Sequence, residues 1–592
     1  MRTRPFPTTL FLITILLAAA GFRFYGVNWD YGYQQHPDER MLMLVACRIH
    51  LFRQLDPDFF NYGSFPVYLL RAVAQGSDAL FHTDWANYDG MLFVGRVLAS
   101  LLDTFVVYLV YRLAGGLFQR PRLALAAAAF YALSFFPIQN SNFYIVDNLV
   151  NFFMTLLFIF LLNYLRRASA LRAAGLGLTT AALLATKITP AIFLPVILFL
   201  LAWQVSPTRW IYLKPAGRPL KYGLVFLLAL GVGHAVLMPY AYVHFSKFLQ
   251  DTMLQLRMSR DPYVFPYTLQ YVGTKAYSYY LENMFVWGMG PVLSFFMVCG
   301  LAVFIGHWPA RFRKGAAPSL LIVVYVLLNL YYFAVVGRTA VKFMRYMLPL
   351  YPFGAVMAAL GLEWVLGALR TKRMRWICLM IVYGALALRV VFFMDIYRRP
   401  LTRVEASRWI NRHVPSGATL AVEHWDERLP LFGVEKYRFV ELPLYDQPDD
   451  ARKWEGIARK LAEADYIVIA SQKLFVPLSR LTDCGVYRQC YPRTGEYYRK
   501  LFSGELGFYK VAEFVSYPGV TLGGRHFSIP DDGADESFSV YDHPRVYIFK
   551  KQEERPPILD GDLLRDGAPG EPAGAKDFLK TGSAPRLNPG VT

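Results

Sequence analysis

His36-Pro37-Asp38-Glu39 sets two carboxylates side by side, directly after a short apolar N-terminal segment in a largely apolar chain. Acidic side chains near a bilayer are costly and sparse, so a pair there marks a functional site by default. A carboxylate partly shielded from water has a raised pKa, which suits a general base that takes a proton from a hydroxyl. The same two residues also suit a helix start. Asp38 as N-cap and Glu39 in the first turn would satisfy free amides and complement the helix dipole. Asp147 presents the same choice: it follows the polar run Gln139-Asn140-Ser141-Asn142-Phe143-Tyr144 and opens an apolar segment. It can cap that segment, or converge with Asp38 on one reacting centre.

Cations supply the other half of such chemistry. Gly337-Arg338-Thr339-Ala340-Val341-Lys342-Phe343-Met344-Arg345-Tyr346 carries three in a short connection. Arginine offers planar, bidentate recognition of phosphate oxygens, although anionic lipid headgroups would attract the same charges. Lys187 and Arg96 are of the same type. His234, inside an apolar run, reads as a hydrogen-bonded bundle histidine.

The elements that must position these residues are membrane helices. Of 592 residues 55% are hydrophobic and only 18% charged, where a soluble enzyme carries about a quarter. The apolar residues gather in runs of roughly 18–22, the length a helix needs to span hydrocarbon. Spans are expected near 7–23, 92–113, 122–138, 147–165, 172–186, 188–205, 221–240, 284–306, 318–336, 346–367 and 376–394. The net charge of +19 does not point to nucleic acid, because it falls in every second short loop. Arg120 and Arg122, Arg166, Arg167 and Arg172, Arg209, Lys214, Arg218 and Lys221, Arg311, Arg313 and Lys314, and Arg370, Lys372, Arg373 and Arg375 form that series. This is the positive-inside pattern and, with Arg2 and Arg4, it orients the chain N-terminus in and C-terminus out. Asp38, Asp147 and the loop Arg338–Arg345 then share the outer face. Three cations in a short outer loop are an exception that calls for a local anion.

The first outer loop, 24–91, holds two expected amphipathic surface helices, Glu39–Leu55 and Phe65–Phe81. After residue 395 the composition changes. Glu405–His413 and Lys453–Ala464 read as helices, and Thr419–Val422, Asp465–Ala470 and Val546–Phe549 as strands, which suggests a small α/β domain. Cys484 and Cys490 lie in that outer region and can pair. The tail beyond 551 reads as disordered.

With these pieces in order, the chain resembles the GT-C membrane glycosyltransferases, in particular bacterial members of the protein O-mannosyltransferase and aminoarabinose transferase superfamily (glycosyltransferase family 39-like). The resemblance rests on Tyr33-Gln34-Gln35-His36-Pro37-Asp38-Glu39, Phe59-Phe60-Asn61-Tyr62-Gly63-Ser64, Gly95-Arg96 and Asn142-Phe143-Tyr144-Ile145-Val146-Asp147. It continues in Ala185-Thr186-Lys187, Trp287-Gly288-Met289-Gly290-Pro291 and Arg345-Tyr346-Met347-Leu348-Pro349. It covers about the first 400 residues, and the combination is far more specific than any one motif.

The resemblance implies a GT-C fold, a polytopic α-helical membrane protein, for the transmembrane catalytic domain at 1–395, while the apolar runs give about eleven spans and the composition gives an extracytoplasmic α/β domain at 396–551 and a tail at 552–592. It implies an inverting hexosyl or pentosyl transferase in the cytoplasmic (inner) membrane, with its site and C-terminal domain on the extracytoplasmic side. The donor would be a polyprenyl-phosphate-linked sugar and the acceptor an extracytoplasmic protein hydroxyl, lipid or glycan, with membrane lipids as surroundings, no metal and no cofactor. Asp38, with Glu39 adjacent, would be the base and Asp147 the second acidic position. His36, Asn61, Tyr62, Arg96, Lys187, Arg338, Lys342 and Arg345 would hold substrate. The stretch Ser64-Phe65-Pro66-Val67-Tyr68 lacks the lysine of the aminoarabinose branch, and no inserted β-trefoil domain is present. A multi-span transporter or lipid-linked-sugar flippase could use the same charges. Transporters, however, place polar breaks at mid-membrane, and these charges cluster at span ends.

Overall fold

The computed structural model describes residues 7–202, 217–313 and 317–552. The topology cations Arg2, Arg4, Arg209, Lys214 and Lys314, and the tail from 553, lie outside them. The chain forms two compact units, each discontinuous in sequence. The first comprises 1–261, 273–400 and 517–542, and the second 262–272, 401–516 and 543–592. A single cut at 395/396 therefore does not follow the division.

In the first unit every expected span is helical in its described part, from Thr8–Phe24 to Lys372–Met394. Among the described residues, five helical runs are long and apolar enough to cross a membrane by length and composition: Tyr88–Phe118, Val146–Arg166, Leu220–Leu237, Met344–Ala368 and Lys372–His413. The pair Pro121–Ala132 and Phe135–Ser141, bent by 58°, makes six. Thr8–Phe24, Ala170–Leu184, Thr189–Ala202, Gly290–Gly306 and Leu320–Val336 are apolar but shorter. The architecture is that of a multi-pass membrane protein. Among the described residues five or six runs reach spanning length, and the five shorter apolar helices fall on the other expected spans.

The first loop departs from its expected shape. Its first helix runs Pro37–Arg48 and stops short of Leu55, because Ile49 turns extended and the chain closes a bridge between His50 and Gln54. His36 is the N-cap, and Pro37 suits the first helical position, where its missing N–H costs nothing. The expected cap, Asp38, is thereby free for other work. The apolar stripe Leu42, Val45 and Ala46 is buried against Val67 and Leu70 of Phe65–Phe81 and Val94 of Tyr88–Phe118. One face of this helix therefore packs on the protein, while Met41, Leu44 and Cys47 on the other are exposed.

The second unit is built on a five-stranded sheet. Its strands are β1 (Thr419–Glu423), β2 (Arg438–Leu442), β3 (Tyr466–Ile469), β4 (Phe508–Phe514) and β7 (Val546–Lys551), in the order β2-β1-β3-β7-β4. The first three are parallel and β7 is antiparallel to both neighbours. Period-two alternation sends Ile467 and Ile469 to one core with Trp454 and Leu461, and Tyr466 and Val468 to another with Ala406 and Ile410. Cys484 and Cys490 form a disulfide. Residues 517–542, between β4 and β7, belong to the first unit and carry the hairpin β5 (Gly519–Leu522) and β6 (Arg525–Ser528).

Candidate active site

Two glycines let distant motifs meet. A Cβ on Gly63 would lie 1.8 Å from the Ala185 carbonyl oxygen. Without one, the Gly63 N–H donates to Thr186 O at 3.0 Å and the Phe65 N–H to Ala185 O at 3.1 Å. That docks the Asn61-Tyr62-Gly63 motif onto the turn bearing Lys187. A Cβ on Gly95 would meet Tyr144 at 2.8 Å, so its absence lets the Phe143-Tyr144 segment close on the helix Tyr88–Phe118.

The result is a compact ionic cluster. Arg345 Nη2 lies 3.0 Å from Asp38 Oδ2, and its Nε lies 3.6 Å from Asp147 Oδ2. Lys187 Nζ donates to Asp147 Oδ1 at 2.7 Å. Asp147 sits in the first turn of Val146–Arg166 without capping it. Two carboxylates and two cations thus balance, and only Asp38 and Lys187 keep appreciable exposure, at 17% and 16% of their side chains. Aromatic rings wall the cluster. Phe343 lies 4.1 Å from the Arg345 guanidinium carbon and Tyr346 lies 4.2 Å from Lys187 Nζ. Tyr62 donates a hydrogen bond to Asp38.

Electrostatics correct one expectation. Burial pushes the Asp38 carboxyl up, but the Arg345 guanidinium, the Tyr62 hydroxyl and Lys187 outweigh it and hold the group below the ordinary carboxylate range. The expected raised carboxyl is a lowered one. His36 moves to about 3, through burial first and then through Arg345, Arg96 and Arg40, against the pull of Asp38. Its neutral ring accepts the Asp38 N–H at Nδ1, 3.2 Å away.

Several expected site residues lie elsewhere. Glu39 is fully buried, with Oε1 taken by Arg96 Nε at 3.0 Å and the Tyr144 N–H at 2.7 Å, and Oε2 by Arg96 Nη2 at 2.8 Å. Arg96 also forks onto Asp30, with both contacts at 2.8 Å, and lies 5.0 Å from the Trp29 ring. All five N–H groups of Arg96 are used and both Glu39 oxygens are engaged, so this buried triad acts as a brace. Lys342 Nζ is spent on Thr274 Oγ1 and Ala340 O, both at 3.0 Å. Arg338 is exposed and outside the ion pairs, and Asn61 forms no hydrogen bond among the described residues.

The sequence reading missed three groups. Tyr541 stacks on His36 with centroids 3.9 Å apart, and its hydroxyl accepts from Arg345 Nη1 at 3.2 Å. Its segment is fixed by Gln139 Nε2, which donates to Phe538 O at 2.6 Å and Asp542 Oδ2 at 3.0 Å. Nothing in its sequence neighbourhood marks it. Asp30 carried only the weak signal that a buried Arg96 needs partners. Asp103 carried a clear one, a lone carboxylate in an apolar run, and it holds Arg23 at 2.6 Å and the Tyr131 hydroxyl at 2.5 Å. That pair ties together three apolar helices.

No family model and no curated protein matches the chain. Among solved structures, the apo oligosaccharyltransferase of Archaeoglobus fulgidus is similar over 86% of this chain and 73% of its own, at 14% identity and a TM-score of 0.50. ArnT from Cupriavidus metallidurans covers 80% of this chain and 94% of its own at 13% identity. Its TM-scores are 0.38 bound to undecaprenyl phosphate and 0.39 in the apo state. At 14% identity, the likeness to the archaeal enzyme shows a shared fold.

Proposed function

We propose that the chain is an integral membrane glycosyltransferase that moves one sugar from a polyprenyl-phosphate donor to a hydroxyl of an extracytoplasmic acceptor. The observation that carries this reading is the convergence of Asp38 and Asp147 on Arg345. Bases and phosphate-binding cations are the groups such a transfer needs, and they come from four separate segments of the first unit. In the reaction, Asp38 takes the acceptor hydroxyl proton and the acceptor oxygen attacks the anomeric carbon from the face opposite the phosphate. The bond from that carbon to the phosphate oxygen breaks with inversion. Polyprenyl phosphate leaves as an anion, its charge received by Arg345 and Lys187 without protonation. Asp147 holds Lys187 and shares Arg345. Metal-free transfer belongs to this reading, because two side-chain cations already face the leaving group.

Asp38 is the base and Glu39 is not, since both oxygens of Glu39 are committed to Arg96 and Tyr144. The distribution of Lys and Arg supports a chain N-terminus in, with the site and the α/β unit on the outer side of a cytoplasmic membrane. The α/β unit would select the acceptor.

The test is donor turnover by purified protein in nanodiscs. Synthetic polyprenyl-phosphate hexoses and pentoses are incubated with secreted and membrane extracts, and products are followed by mass spectrometry. Wild type should release polyprenyl phosphate and label an acceptor, and Asp38→Asn should do neither. Intact donors with folded wild type, or normal turnover by Asp38→Asn, would reject the reading and favour transport.

A further inference from the structure

The hairpin β5–β6 is an element that sugar transfer leaves unexplained. Its turn is Leu522-Gly523-Gly524-Arg525, with φ of +56° and +77° at the two glycines. Those values fit the two-residue turn that best matches strand twist. A two-stranded hairpin is marginal in water unless something covers it. Here Leu522 is 61% exposed and Phe527 51%, beside the solvent-open Thr521, Arg525 and His526.

Its location says what the cover is. β5 packs against the helix Lys372–Met394. Only 28% of the apolar window in that run is buried, so most of its surface faces lipid when it spans a membrane. Just past β6, Ile529 lines a cavity of about 240 Å³ with Pro291, Leu386, Leu388, Arg389 and Phe392. Ala385, on the same wall, precedes Met394 by about 14 Å of helix at ~1.5 Å per residue. The base of the hairpin therefore sits at the depth of the last turns of a membrane helix, beside Leu388, which is 54% exposed. Arg389, whose Nη2 donates to Val286 O at 2.7 Å, adds a cation there. Apolar side chains mixed with cations at that level are what a bilayer interface receives.

We propose that β5–β6 is a membrane-docking hairpin whose tip residue Leu522, with Phe527 nearer the base, inserts among the lipids around the C-terminal end of the helix Lys372–Met394. This needs the chain to span a membrane but does not depend on what the active site transfers.

The test uses the full chain with Cys47, Cys299 and Cys378 replaced by Ser and the disulfide kept. An environment-sensitive fluorophore is attached to Leu522→Cys, separately to Thr521→Cys, and to Glu455→Cys as a water-exposed reference, in nanodiscs of phosphatidylcholine and phosphatidylglycerol. Both hairpin labels should emit to the blue of the reference and lose fluorescence to spin-labelled lipids, with little loss to aqueous iodide. Water-like emission quenched by iodide would overturn the proposal. So would a label shielded from both quenchers, since protein would then be the cover. Intact membrane insertion of each variant is read from its recovery in nanodiscs, so the two hairpin labels check one another.

Discussion

Arg345 Nη2 lies 3.0 Å from Asp38 Oδ2, so the cation best placed to receive a phosphate is held by the carboxylate best placed to act as base. In this arrangement each restrains the other. A phosphate that draws Arg345 away removes the main influence lowering the Asp38 pKa and leaves burial, which raises it. Donor binding would then make Asp38 more basic as the acceptor arrives, an order that protects the donor from premature attack by water.

The two neighbouring acids separate on this account. Asp38→Asn should lower kcat by about 10²–10⁴, the range for loss of a general base, with a smaller loss of stability than at Glu39, because Asp38 is partly exposed and Arg345 keeps Asp147 at 3.6 Å. Glu39→Gln or Arg96→Met should instead cost about 3–5 kcal/mol of stability, because each strands a buried charge. Equal loss of melting temperature in Asp38→Asn and Glu39→Gln would contradict the division of roles.

The pH dependence has a definite sign. The folded-state pKa of Asp38 is lowered, so its ionised form is fully present at neutral pH and is lost only as pH falls through that lowered value. Arg345→Gln leaves burial dominant and should move the acid limb of kcat/KM upward, toward neutrality. The profile of residual turnover against pH reads this directly. An acid limb that stays in place would show that Arg345 does not hold Asp38 in solution.

The sequence exposed the chemistry better than the scaffold. Asp38, Asp147, Lys187 and Arg345 stood out because charges beside apolar runs are conspicuous, and the structure brings all four together. Glu39 and Arg96 were conspicuous for the same reason yet serve as a brace. Residue type cannot tell a buried pair from a reactive one until partners such as Asp30 are placed. Strands β2 and β4 escaped notice because they are largely unburied and lack apolar alternation. Tyr541 escaped notice because nothing in its neighbourhood marks it among 39 tyrosines.

Gly63 gives a test of assembly instead of chemistry. Its missing Cβ would overlap the Ala185 carbonyl at 1.8 Å, and backbone cannot yield as a side-chain end does. Gly63→Ala should cost roughly 1–3 kcal/mol, the range for overpacking. It should also raise KM for the donor, because Tyr62 and the Lys187 turn move apart. Ala185→Gly should not rescue it, since the clash is with the carbonyl and not with the Ala185 methyl. Wild-type stability and KM in Gly63→Ala would mean the two segments are not docked.

Tyr541 separates hydroxyl from ring. Its hydroxyl accepts from Arg345 at 3.2 Å while its ring covers His36. A hydrogen bond to a charged group is worth about 1.5–3 kcal/mol, so Tyr541→Phe should lower kcat/KM for the donor by roughly tenfold or more. The stacking remains in that variant. Tyr541→Ala also uncovers His36, whose neutrality depends first on burial. Its imidazole pKa should rise from about 3 toward the ordinary range, a shift that NMR of histidine-labelled protein would follow. An unchanged His36 titration in Tyr541→Ala, with turnover also unchanged in Tyr541→Phe, would place Tyr541 outside the working site.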